Sequence, residues 1–334
     1  MDNITPQPVK DTLQPNEESN KDDLDALTEI GFGTSTPSIK PWIRTDAAKS
    51  LGMALFYLLF FRFSMLISSG QMGVVILTTL FSLPLLLLFT VYTARAICTK
   101  RSLLINFISA GIATVPMVAI PIFGGFLANN FGEKAIFRIY KFYVVLFHNV
   151  PGLQGILLIW MAVVIGVAVA RLVREINMLL PISIALAAID LYAVFGGGVV
   201  SQAIHKQSPT AERAMQALTV KLPTSHPNGG AAPMQLAVGF ADFLFIALFF
   251  SCFQRFRIPS KRILIALCVL LIGYMAVVAL YGLALPALVP IAIVMIGMNI
   301  RRFKYKRDEL FALLYAGVIC SAVAGIYFFM HRAR

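Results

Sequence analysis

The chain has 334 residues, 58% of them hydrophobic and 13% charged, with a formal net charge of +12. A soluble domain carries about twice that charged fraction, so an ordinary water-facing fold is excluded. The excess of base does not describe a nucleic-acid surface either, because no basic folded face with polar and aromatic partners is visible.

Residues 1–49 hold nine acids and five bases and are rich in Asn, Pro, Ser and Thr. Such a segment buries too little apolar surface to order itself, so a disordered polar tail is expected, followed by a transmembrane domain over residues 50–334. The remainder holds seven acids and twenty-three bases. Its apolar blocks run over 51–69, 72–94, 103–127, 153–172, 177–199, 234–254, 263–283, 285–300 and 309–330. A membrane span needs roughly 20 apolar residues, so the expected fold is an all-α, polytopic bundle of about nine transmembrane helices. Residues 136–150 carry Arg138 and Lys141 and read as an interfacial helix. The uncharged stretch 263–300 would be roughly 57 Å long as one helix, against a hydrocarbon core of roughly 30 Å. It is therefore expected to turn near Gly282 and Pro286, leaving a short last helix over 285–300.

With nine spans the basic clusters fall on one side, among them Lys40/Arg44/Lys49, Arg95/Lys100/Arg101 and Arg255/Arg257/Lys261/Arg262. The positive-inside rule then puts the N-terminus in the cytoplasm. Cys98, Cys252, Cys268 and Cys320 lie in or beside apolar segments with no metal-ligand spacing. The four histidines form no His-Glu-x-x-His pattern. No metal or cofactor is expected.

Two acids lie inside apolar blocks: Asp190 in PISIALAAIDLYAVFGGG and Asp242 in QLAVGFADFLFIALFF. A carboxylate in a span is costly and marks a functional site by default. The bland alternative, interhelical hydrogen bonding or pairing with Arg62, accounts poorly for two acids. Counting back from Gly198 and forward from Pro233 places both acids about 12–14 Å below the same surface. Consecutive helices are antiparallel, so the two carboxyls are expected to lie close together and share one proton. Such a pair can both accept a proton from water and give one, as peptide hydrolysis requires. The Gly196–Gly198 run allows close approach by another chain. Residues 215–222 alternate in character, which predicts a short strand that an extended peptide could join.

At these residues the chain resembles the presenilin and signal peptide peptidase superfamily of intramembrane aspartyl proteases. The family's Tyr-Asp pair corresponds to Ile189-Asp190, with Tyr192 following in IDLYAVF. Its Gly-x-Gly-Asp motif corresponds to Gly239-Phe240-Ala241-Asp242, and its Pro-Ala-Leu motif is intact as Pro286-Ala287-Leu288. Ile189 stands where the family has Tyr, and Ala241 where it has the second Gly. The likeness covers about residues 153–300. It implies a presenilin-like bundle and an enzyme that cuts transmembrane protein or peptide segments within the lipid bilayer. Asp190 and Asp242 would be catalytic. Gly239, Ala241, Pro286, Ala287, Leu288, Ile189 and Tyr192 would shape the site. The family includes members that act in complexes and members that act alone, and the sequence leaves accessory subunits open. Two other readings of the same acids stay open: an inactive homologue that binds membrane helices, and a proton-coupled transporter using the acids as a relay.

Overall fold

A computed structural model describes residues 41–66, 72–97, 100–131, 133–195, 209–222, 237–281 and 286–300. The expected tail up to residue 40, the Gly196–Gly198 run, Gly282 and the final block 309–330 lie outside them. The described chain is mostly helical. Four of its helices are long and apolar enough to cross a membrane, within 45–64, 102–123, 153–170 and 260–278.

The first helix, α1, spans Pro41–Leu66. It starts before the first apolar block, so residues 41–49 are helical where a tail was expected. Proline suits a first helical position, where its missing donor costs nothing. Helix α2 (Met72–Ala96) packs along α1. Thr90 and Thr93 donate back to Leu86 O at 2.8 Å and Phe89 O at 2.7 Å. Helix α3 (Lys100–Phe131) breaks at Phe123 (φ −116°, ψ 17°) after Pro116 and Pro121. Each proline removes an N–H from the helical ladder and crowds the preceding turn. Helix α4 (Glu133–Asn149) occupies the segment read as interfacial. It packs on α3, with the Tyr143 hydroxyl donating to Ala113 O at 3.0 Å.

Helix α5 (Leu153–Ala170) is the centre of the bundle and touches α2 and α3. After a 3-10 turn (Ile176–Met178) comes α6 (Leu179–Phe195), then α7 (Pro209–Ala217). Strands β1 (Thr219–Lys221) and β2 (Ala237–Gly239) pair antiparallel, with Thr219 opposite Gly239, Val220 opposite Val238 and Lys221 opposite Ala237. The strand expected from the alternation in 215–222 is therefore real, and shorter. Helix α8 (Phe240–Arg255) packs on α5, α9 (Ser260–Tyr281) on α2, and α10 (Leu288–Gly297) on α6. The ends of α9 and α10 bracket the predicted turn, and α10 is short as expected.

Helices α5 and α8 pack closely where Gly166 faces α8. A Cβ added at Gly166 would fall 2.5 Å from Leu244 O and 3.1 Å from Leu248 N. Those are backbone atoms of α8, which cannot swing aside as a side-chain tip can. Around this contact, Ile159, Ala162, Val163, Phe243 and Ala247 are fully buried. Small residues at a crossing gain dispersion contacts that lipid does not supply. Gly166→Leu is expected to cost on the order of 1–3 kcal/mol by overpacking, read as a lower thermal midpoint in detergent. Gly273→Leu, where an added Cβ meets nothing within 4 Å, should leave the midpoint near that of the wild type.

Candidate active site

Asp190 and Asp242 reach the same region by different routes. Asp190 is five residues from the end of α6 and half-buried. Asp242 lies in the first turn of α8 and is 9% exposed. The sequence-based depth of Asp242 assumed a helix running from Pro233. In the structure residues 237–239 are extended and paired with β1, so α8 begins only at Phe240. Asp242 thus belongs to a helix start rather than the middle of a span.

Each carboxyl is met by a backbone N–H. Gly239 N donates to Asp242 Oδ2 at 3.1 Å. Gly239 is the N-cap of α8 and Asp242 its third residue, so a side chain reaches back to the cap amide, the acidic half of a capping box. Gly239 is simultaneously the partner of Thr219 in the sheet, and Phe240 N donates to Leu218 O at 3.0 Å. The strand pairing and the Asp242 contact are therefore built on consecutive residues. Glycine has a steric role here: a Cβ on Gly239 would sit 3.2 Å from Asp242 Oδ2.

Asp190 is held across the bundle. Leu288 N donates to Asp190 Oδ2 at 2.8 Å. Leu288 opens α10, where the first amides have no intrahelical acceptor. Pro286 and Leu288 are buried and Ala287 is half-buried. The Pro-Ala-Leu segment thus brings an unspent donor to the first acid. Helix α10 packs on both α6 and α8, so the acid helices are joined through it as well as by their shared position.

Asp190 lies within electrostatic reach of Asp242, and Tyr274 within reach of both acids. Tyr274 was not singled out from the sequence. It sits on the face of α9 that buries Leu267, Leu271 and Met275, three residues on from Leu271. A hydroxyl on the buried stripe of an otherwise apolar helix is the signal that could have found it.

The other predicted residues are less central. Ala241 is exposed and takes no left-handed backbone conformation, since the one such non-glycine residue described is Arg257. The alanine is therefore compatible with its place. Ile189 is 62% exposed and Tyr192 38% exposed. Positions one and two residues from Asp190 lie on other faces of the same helix. Among the described residues no cluster of three His, Cys, Asp or Glu side chains is placed to hold a metal.

Compared with known proteins, the chain matches no family model, no curated protein and no solved structure.

The sheet register can be checked directly, because it fixes where Gly239 and hence its amide lie. Paired positions have a Cα separation that a disulfide can span. In a background without native cysteines, Val220→Cys with Val238→Cys should cross-link under mild oxidation. Val220→Cys with Phe240→Cys should not; efficient linkage of the second pair would mean a shifted register.

Proposed function

We propose that the chain is an intramembrane aspartyl endopeptidase, which hydrolyses peptide bonds of transmembrane segments with Asp190, Asp242 and one bound water. The observation that carries this reading is geometric: two carboxyls, one on α6 and one at the start of α8, are each anchored by a helix-opening amide, and α10 packs on both of their helices. The motif likeness to presenilins and signal peptide peptidases points the same way, and the nine-span bundle with a cytoplasmic N-terminus belongs to the same proposal.

The chemistry follows from one proton shared by the pair. The ionised carboxyl takes a proton from water as the water oxygen bonds to the scissile carbonyl carbon. The protonated carboxyl gives its proton to the carbonyl oxygen, leaving a neutral gem-diol. When the C–N bond breaks, the nitrogen leaves with the proton that water gave up. One diol hydroxyl returns its proton to the pair, which regenerates the starting state.

Two features fit a peptide substrate. A transmembrane helix hides its carbonyls in its own ladder, so it must be opened locally before attack. The β1–β2 ribbon lies directly ahead of Asp242, and an unwound segment can pair with the open edge of such a ribbon. Gly239 and the Pro286–Leu288 turn then flank the bond to be cut.

Purified chain in liposomes, given a single-span substrate, is expected to cleave it. Asp190→Asn and Asp242→Asn should each lower the rate by at least about 10²–10⁴-fold and leave the melting profile unchanged. Cleavage surviving both single changes would reject the assignment, and solute flux without cleavage would replace it with transport. Replacing the Leu288 amide by an ester, through incorporation of the α-hydroxy analogue of leucine, removes the donor to Asp190 without altering a side chain. A hydrogen bond to a charged group is worth about 1.5–3 kcal/mol, so cleavage should fall by roughly tenfold or more.

A further inference from the structure

A second polar site lies among helices α1, α2 and α9, at a cationic end of their packing. Lys49 Nζ lies 5.5 Å from the centroid of the Tyr92 ring, and Arg95 Cζ lies 6.0 Å from the same centroid. Arg95 Nη2 also donates to Ser260 Oγ at 2.6 Å, which ties the end of α2 to the start of α9. Ser50 and Thr93 share a hydrogen bond of 2.6 Å behind this cluster, fixing α1 against α2. Lys261 and Arg262 follow Ser260 and are exposed.

The charge balance here is uneven. Asp46 lies 3.8 Å from Lys49, a long contact to a lysine side chain that is still 54% exposed. Arg95 is held by a neutral hydroxyl and a ring face, neither of which neutralises it. A cation stacked on an aromatic ring keeps its N–H donors directed outward, and such donors suit a phosphate oxygen.

What continues from the cluster identifies the ligand. On α1 the positions sharing the Lys49 face are Gly52, Phe56, Leu59 and Phe63. Phe56, Leu59 and Phe63 are 49%, 69% and 61% exposed, and a Cβ at Gly52 would meet nothing within 4 Å. On α2 the matching residue is Phe81, 52% exposed, whose ring lies 6.3 Å from that of Phe56. An apolar seam, notched at Gly52, therefore runs from the cationic cluster along the exposed faces of α1 and α2. A free anion would use only the head of this arrangement.

We propose that this seam is a binding site for an anionic phospholipid, its phosphate between Lys49 and Arg95 and an acyl chain along Phe56, Leu59 and Phe81. The site is separate from the acid pair and does not depend on the proteolytic reading. Occupied, it would brace α1, α2 and α9 at one membrane face.

Native mass spectrometry of the full chain in detergent tests this with dioctanoyl phosphatidic acid, dioctanoyl phosphatidylcholine and inorganic phosphate as probes. Phosphatidic acid should bind in preference to phosphatidylcholine, and phosphate alone should not compete for it at equal concentration. The double variant Lys49→Ala/Arg95→Ala should weaken phosphatidic acid by about tenfold to thirtyfold, at about 1 kcal/mol per basic residue. Lys134→Ala/Arg213→Ala, which removes the same charge from exposed positions elsewhere, should leave binding unchanged. Equal loss in both double variants, equal binding of phosphatidylcholine, or full competition by phosphate would each overturn the proposal. On the unmutated chain, a phosphatidic acid carrying a diazirine on its acyl chain should label the peptides containing Phe56 and Phe81. Labelling confined to other helices would overturn it without any reliance on how a variant folds.

Discussion

The arrangement depends on two backbone amides at helix starts. A carboxyl inside an apolar bundle needs hydrogen-bond donors, and side chains able to donate are costly in the same place. Here the donors are amides that helix geometry leaves unspent. Gly239 N serves Asp242 at 3.1 Å and Leu288 N serves Asp190 at 2.8 Å. A helix N-terminus also carries a partial positive charge, so each acid meets a favourable field with no basic side chain required. Such donors survive every side-chain exchange except one to proline, which has no N–H.

This constraint explains the irregular backbone around the site. Helix α8 starts late because residues 237–239 are committed to the sheet. Helix α10 starts only at Leu288, after Pro286. A continuous helix at either place would spend its amide internally and leave the acid without a donor. Non-helical backbone inside an apolar bundle is tolerated where protein covers it, and Pro286, Leu288 and Asp242 are all buried. The close α5–α8 crossing at Gly166 supplies a firm frame on which the Asp242 helix can begin in this way.

Much of this was legible in the sequence, and the reason is physical. Long apolar blocks mark helices, and α2, α3, α5, α6, α9 and α10 fall within a few residues of the predicted ranges, while α8 ends with its block and starts later. The turn before α10 was required by length alone. The two acids stood out because charge inside a span is rare. The donors were hidden because a one-letter code records side chains, and Leu288 acts on Asp190 through its backbone. The helical start at Pro41 was hidden by polar residues that cannot form a core yet can extend a helix anchored further on. Tyr274 was hidden in the run VLLIGYMAVVAL, where one aromatic among many apolar residues reads as packing. The late start of Asp242's helix was missed because AVG in 237–239 is as apolar as the helix that follows it.

The most direct test of the central claim is an experimental structure of the chain with a peptide analogue whose scissile carbonyl is replaced by a hydroxyl-bearing carbon. The account predicts that Asp190 and Asp242 both bond that one hydroxyl, at about 2.5–3.0 Å, while Leu288 N and Gly239 N still hold their outer oxygens. Carboxyls facing different sides of the bundle, with the hydroxyl touching one of them or neither, would contradict it.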